Sequence, residues 1–174
     1  MSYISLIRLN NFRNLVNQKI DLSKLANIFI GPNGSGKTNI IESISLLVPG
    51  RGIKKQLLHK ITTFKIDRPW VIFVKLKQNN NTQIDIAATY ECTKSGSSLK
   101  KILINGNKYK KLTELNYTPP VLWFIPEMER LFIAPPSIRR GFIDRITYSF
   151  DQTILFKTNT YNKLLKERYN IIQA

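Results

Sequence analysis

The chain has 174 residues, 43% of them hydrophobic, enough to bury the core of one ordinary domain with a small lobe attached and too apolar for a disordered tail. No uninterrupted apolar run of about 18 residues exists and no basic cluster leads into an apolar core at the amino terminus, which argues against a membrane-spanning helix or secretory signal and makes a cytoplasmic protein the expectation. Its 27 Lys and Arg against 11 Asp and Glu leave a net charge of +16, which points to a polyanionic partner, although part of the Lys excess fits an A- and T-rich genome as well.

In chain order, residues 3–9 alternate apolar and polar positions as a half-buried strand does, and Asn10, Asn11 and Asn14 mark a turn. A second strand is expected over Val16–Leu22. The apolar run Ala26–Ile30 then reads as a buried central strand covered on both faces. From Lys37 the pattern is helical, with Ile40, Ile41, Ile44, Leu47 and Val48 three and four apart until Pro49-Gly50 stops it.

Trp70–Lys77 and Gln83–Tyr90 are β-rich runs joined by polar Gln78–Asn81, a hairpin composition. Asn105-Gly106, after Ile102–Ile104, fits a tight turn with positive φ. Residues 70–110 therefore read as a small antiparallel insert containing a loop at Lys94–Ser98. Pro119-Pro120 closes the insert, and the apolar run Val121–Ile125 is placed to return to the main sheet. Ser137, after Pro135-Pro136, is positioned to cap a helix carrying Phe142, Ile143, Ile146 and Phe150 on one face. Asp151 is expected to start another helix, whose apolar positions recur at roughly seven-residue spacing like the start of a coiled coil. No capping Gly or Pro follows Ile172, as in a helix that is cut rather than finished. The fold expected is α/β: a P-loop ATPase head lobe over 1–150 with its β insert at 70–110, and the start of a truncated helical arm over 151–174.

Cys92 has no partner for a disulfide, and neither it nor His59 has neighbours at metal-ligand spacing, so no structural metal is expected. The chemistry lies in Gly31-Pro32-Asn33-Gly34-Ser35-Gly36-Lys37-Thr38, a full G-x-x-x-x-G-K-[ST] match between a strand pattern and a helix pattern. The glycines let backbone amides converge on phosphate oxygens, and the helix adds the positive end of its dipole. Lys37 supplies a point charge for the β and γ phosphates, and Thr38 a hydroxyl for Mg²⁺. ATP and Mg²⁺ are the expected cofactors.

Leu9-Asn10-Asn11-Phe12-Arg13-Asn14 and Gly31 to Glu42 resemble the head-domain openings of the SMC-like ABC ATPases, the RecF family most closely. Ser45 to Gly52, Ile104-Asn105-Gly106, and Leu122 to Glu127 with Arg139 to Arg145 are similar to three further blocks of that family. The resemblance implies a DNA-binding ATPase of DNA replication, repair and the SOS response to DNA damage. Such a protein dimerises around ATP and helps load recombinase at gapped, single- or double-stranded DNA, with a RecR-like mediator as partner. It also implies Arg13 as a nucleotide contact. Family members continue for about as long again, and that second half carries the signature motif and the Walker B acidic pair. Neither is found here: Trp123-Phe124-Ile125-Pro126-Glu127 lacks the Asp and contains Pro, and reads as an ordinary core strand. ATP binding is therefore expected to survive, while hydrolysis and the ATP-dependent homodimer are not. No catalytic residue is assigned. A split gene, a decaying gene and a shortened chain all fit.

For DNA, Arg51, Lys54 and Lys55 together with Arg139 and Arg140 are candidate phosphate contacts, since clustered cations near a P-loop can hold the backbone. A nucleotide kinase or small GTPase is disfavoured, because no Asn-Lys-x-Asp or Asp-x-x-Gly motif is present. The remaining alternative is a non-catalytic DNA-binding or interaction fragment whose P-loop is idle.

Overall fold

Period-2 patterning builds most of the first hundred residues. The structure is a computed structural model and describes residues 2–48, 50–63, 68–78, 82–92, 98–109, 121–151 and 153–173. Two compact units divide it, Met1–Lys110 and Lys111–Ala174.

In the first unit, β1 (Tyr3–Phe12), β2 (Leu15–Asp21), β3 (Val71–Lys77), β4 (Gln83–Cys92), β5 (Ser98–Ile104) and β6 (Asn107–Lys108) form one sheet in the order β2-β1-β3-β4-β5-β6. Every pairing is antiparallel. The register aligns Ile7, Val74, Ile86 and Ile104 in one row across four strands, and Leu9, Ile72, Ala88 and Ile102 in the next. All eight side chains are buried, because alternation places them on the same face. The antiparallel strands read over 70–110 are present and join the main sheet. β3 pairs directly with β1 and continues the sheet that β1 and β2 begin.

The turns follow from residue chemistry. Asn105 and Gly106 have φ of 49° and 80°, the left-handed pair that a two-residue antiparallel connection requires, and the Asn105 side chain accepts from the Asp85 amide at 2.9 Å. Helix α1 (Lys37–Ser45) starts where expected but ends before Val48. Leu46 and Leu47 instead donate to Ser43 and Ile44 in tighter i→i+3 bonds, and residues 46–48 become core.

The apolar run 26–30 is not a buried strand. Ile28 and Ile30 are 82% and 91% exposed, and no ladder reaches them among the described residues. A local turn and a missing partner strand account for it together. Asn27 accepts from the Ser23 amide (2.8 Å) and donates to the Ser23 carbonyl (3.1 Å), closing a turn where pairing would have to begin, and no neighbouring strand among the described residues competes for the backbone beyond it. Trp70 anchors the far side of the core: its indole N–H donates to the Leu58 carbonyl, and its ring meets Phe12 edge-on at 5.9 Å.

The second unit contains short 3-10 turns at Pro126–Met128 and Leu131–Ile133, then α2 (Pro136–Phe150) and α3 (Thr153–Gln173). Val121–Ile125 forms no strand, and Leu122 and Phe124 are exposed, so the ordinary core strand expected there is absent. Ser137 does not cap α2. Pro136 takes the first helical position, where its fixed φ and missing N–H cost nothing, so the helix starts two residues early and Pro135 stands at the N-cap. Of the apolar residues read on one face, Ile143 and Phe150 are exposed. Asp151 does start α3: its Oδ1 accepts from the Thr153 amide at 2.9 Å and the Thr153 hydroxyl at 2.7 Å. No helix among the described residues is long and apolar enough to cross a membrane. The connections read at 79–81, 94–97 and Pro119-Pro120, and the stop at Pro49, lie outside the described residues.

Candidate nucleotide site

The loop Gly31–Thr38 runs into α1 with Gly36 at the N-cap. Gly34 and Gly36 have φ of 83° and 100°, a region open to glycine. A Cβ on Gly36 would also stand 2.8 Å from Leu15 Cδ2 and 3.0 Å from Asn14 Oδ1, so both side chains would have to shift. No side chain caps α1, so the amides of its first turn keep their donors turned out, and this is the arrangement that receives an anion. Lys37 lies over the loop: its Nζ donates to the Gly31 carbonyl at 2.6 Å and the Pro32 carbonyl at 2.8 Å. Thr38 follows one residue further along the same turn. An open amide turn, an ammonium beside it and a neighbouring hydroxyl fit a magnesium-bound phosphate chain.

Behind the loop stands a polar shell that sequence reasoning found only in part. Arg13, held at φ 56° in the turn after β1, donates through Nε (3.1 Å) and Nη2 (2.5 Å) to the carboxylate of Glu42, and through Nη1 to Gln56 Oε1 at 2.6 Å. Glu42 is 1% exposed and has a second cation, Lys54 Nζ, at 3.3 Å. A carboxylate so buried needs such partners, because desolvation alone would expel its charge. The guanidinium picked out as a nucleotide contact is therefore engaged on α1. Asn14, the next residue, donates through Nδ2 to the Gly34 carbonyl at 2.9 Å and accepts at Oδ1 from Asn39 Nδ2 at 2.9 Å. Lys54 closes the circuit by donating to Asn39 Oδ1 at 3.1 Å.

The far end of α1 is held from β5. Lys100 Nζ donates to the carbonyls of Leu46, Val48 and Gly50, three acceptors left free where the helix ends. Burial pushes the pKa of the Lys100 ammonium down to about 8. Nothing in the sequence marked Lys100, Asn14 or Glu42 for these roles beyond Asn14 and Glu42 lying inside the blocks of resemblance.

The cations proposed for DNA fall into two groups. Arg51 and Lys55 are exposed in the loop after α1, whereas Lys54 from the same loop spends its ammonium on Glu42 and Asn39. Arg139 and Arg140 are exposed on α2, in the other unit. Also in that unit, the Arg145 guanidinium stacks 3.9 Å over Trp123, which the run of basic residues did not reveal.

Residues 3–170 match the family model described as the AAA ATPase domain. Curated relatives named DNA replication and repair protein RecF include those of Rhizobium rhizogenes (30% identical over 170 residues, 98% of this chain and 45% of the relative) and Rickettsia typhi (32% over 170 residues, 98% and 46%). The RecF of a Thermoanaerobacter species is 31% identical over 172 residues, covering 99% of this chain and 46% of its own. The chain thus spans a little under half the length of these relatives. A solved structure described as the recombination mediator protein RecF-ATPrS in the RecFOR pathway superimposes with a TM-score of 0.85 at 28% identity, covering 99% of this chain and 45% of that one. A second, described as RecF-ATP, gives 0.82 at 28%, covering 98% and 46%.

Proposed function

The chain belongs to the AAA ATPase domain family, and from that premise we propose that it is an ATP-binding, RecF-like DNA repair protein that takes its nucleotide on the Gly31–Thr38 loop. The observation that carries the reading is the uncapped first turn of α1 with the Lys37 ammonium beside it. In the free protein that ammonium satisfies itself on the Gly31 and Pro32 carbonyls. A phosphate chain offers it a full negative charge instead, so contacts of an ion with dipoles are exchanged for an ion pair. Gly31, Pro32, Asn33, Gly34, Ser35 and Gly36 supply the backbone of the cradle, and Thr38 is the residue to hold Mg²⁺. Bound Mg²⁺ would neutralise charge on the phosphates; everything else at the site is positioning by this chain's own groups.

The structures described as RecF-ATPrS and RecF-ATP support this reading, since both superimpose over nearly the whole chain. DNA binding through phosphates, recombinase loading with a RecR-like mediator, a role in the SOS response and an ATP-dependent dimer are the finer parts of the proposal. They rest on the RecF names and the basic excess. Arg51 and Lys55 are the exposed cations of the loop after α1, and Arg139 and Arg140 are a second group.

Calorimetric titration with ATP and Mg²⁺ tests the nucleotide reading. The wild-type chain should saturate and Lys37→Ala should bind at least about tenfold more weakly, as expected for removal of one charge-assisted hydrogen bond. A folded chain that shows no saturation at millimolar ATP has an idle loop, and the DNA-binding fragment becomes the better description.

A further inference from the structure

We infer that Asn14 is the positioning residue of the phosphate loop, a role that deepens the nucleotide reading and rests on it for its purpose though not for its geometry. Three interactions converge on this one side chain. Its Nδ2 donates to the Gly34 carbonyl at 2.9 Å, its Oδ1 accepts from Asn39 Nδ2 at 2.9 Å, and its amide fills the space that a Cβ on Gly36 would need, 3.0 Å from Oδ1. The orientation is forced, because a carbonyl can only accept and so the amide nitrogen must face Gly34.

The consequence for the loop follows from the planarity of the peptide. In a trans peptide the carbonyl of one residue and the N–H of the next point to opposite sides. Holding the Gly34 oxygen toward Asn14 therefore aims the Ser35 N–H away from Asn14. That N–H now makes a 3.3 Å bond to the Pro32 carbonyl, across the loop itself. Gly34, with φ of 83° and no side chain, has little intrinsic preference to hold this peptide, and the bond within the loop is long at 3.3 Å, so the firmer constraint comes from outside the loop. Asn14 supplies it from the β1–β2 turn while gripping Asn39 in the first turn of α1, so loop and helix are fixed to one strand connection. Arg13 beside it grips Glu42 one turn later, which prevents the connection from shifting along the helix.

Amide hydrogen exchange on the full chain without nucleotide, in wild type, Asn14→Ala and Asn14→Asp, reads the clamp directly. Asp keeps the shape and the acceptor for Asn39 but loses the donor to Gly34, so it isolates that hydrogen bond even where Ala disturbs the turn. The Ser35 amide, the loop N–H that the structure shows bonded, should exchange about three- to tenfold faster in the variants, the scale of one net hydrogen bond, with β1 and β3 amides unchanged. Unchanged exchange at Ser35 in Asn14→Asp, with the sheet protected as in wild type, would overturn the assignment. In a parallel titration with ATP and Mg²⁺, Asn14→Ala should bind about three- to tenfold more weakly than wild type, and equal affinity would also overturn it. Should wild type fail to bind ATP while the exchange difference persists, the clamp stands and the nucleotide reading falls.

Discussion

A half-buried ammonium that meets three carbonyls carries a cost and a benefit at once, and Lys100 shows both. Its Nζ serves the carbonyls of Leu46, Val48 and Gly50, while burial lowers its pKa to about 8 from an ordinary 10.5. The folded pKa lies below the unfolded one, so between about pH 8 and 10.5 the unfolded chain binds more protons at this residue. The contribution of Lys100 to stability therefore rises with pH across that window. We expect the stability difference between wild type and Lys100→Met, measured by urea denaturation, to move in favour of wild type from about pH 7.5 to about pH 10. A difference that shrinks over that range would mean that the carbonyls hold the proton against burial. Sequence alone did not show this lysine, because Lys100 beside Lys101 in a strand looks like a solvated pair, and the acceptors lie some fifty positions away. Arg13 was visible as part of a turn block, but its partner Glu42 was not. Lys54, chosen for DNA, is also bound to that carboxylate, so a test of phosphate binding should replace Arg51 and Lys55 and leave Lys54 in place. That pair of substitutions should weaken DNA binding and flatten its dependence on salt, by about 0.9 for each phosphate that is no longer neutralised, in fluorescence anisotropy over a salt series.

At the level of elements, patterning was legible where a local rule decided the outcome, the Ser137 cap excepted. β1 to β5, the Asn105-Gly106 turn, the start of α1 and the start of α3 follow from alternation, positive φ and capping chemistry. Where a distant partner decides, pattern failed: Ala26–Ile30 and Val121–Ile125 are apolar enough for strands but have no ladder among the described residues. Hydrophobicity states that burial is favourable, not what will supply it. The capping reading can be tested at Asp151. The hydrogen bonds from Thr153 hold its carboxyl below the usual carboxylate range, so the cap is complete above that range and is lost as pH falls through the lowered value. Asp151→Ala should reduce the far-ultraviolet circular dichroism of the helices at neutral pH, and Asp151→Asn should retain most of it. Equal signals in all three chains would show that α3 does not depend on its cap.

For the whole molecule, the exposed Leu25, Ile28 and Ile30 form a short apolar segment without a ladder partner among the described residues, a combination that invites association with any strand. The isolated chain should self-associate with rising concentration, and Ile28→Lys with Ile30→Lys should raise its solubility without lowering its unfolding midpoint; sedimentation at two concentrations decides the point. The pairing of β1 with β3 has a different kind of consequence, in time rather than in space. Asn10 meets Val71, so the whole stretch from 11 to 70, phosphate loop and α1 included, is the loop that this pairing closes. Closing so long a loop is slow compared with forming the β3–β4 and β4–β5 hairpins, whose strands are near neighbours in the chain. The cradle is thus finished only after its surrounding sheet has zipped, too late for a ligand to guide the zipping. ATP present during refolding should leave the folding rate where it was and instead slow unfolding, so that nucleotide prolongs the life of the native chain without hastening its birth.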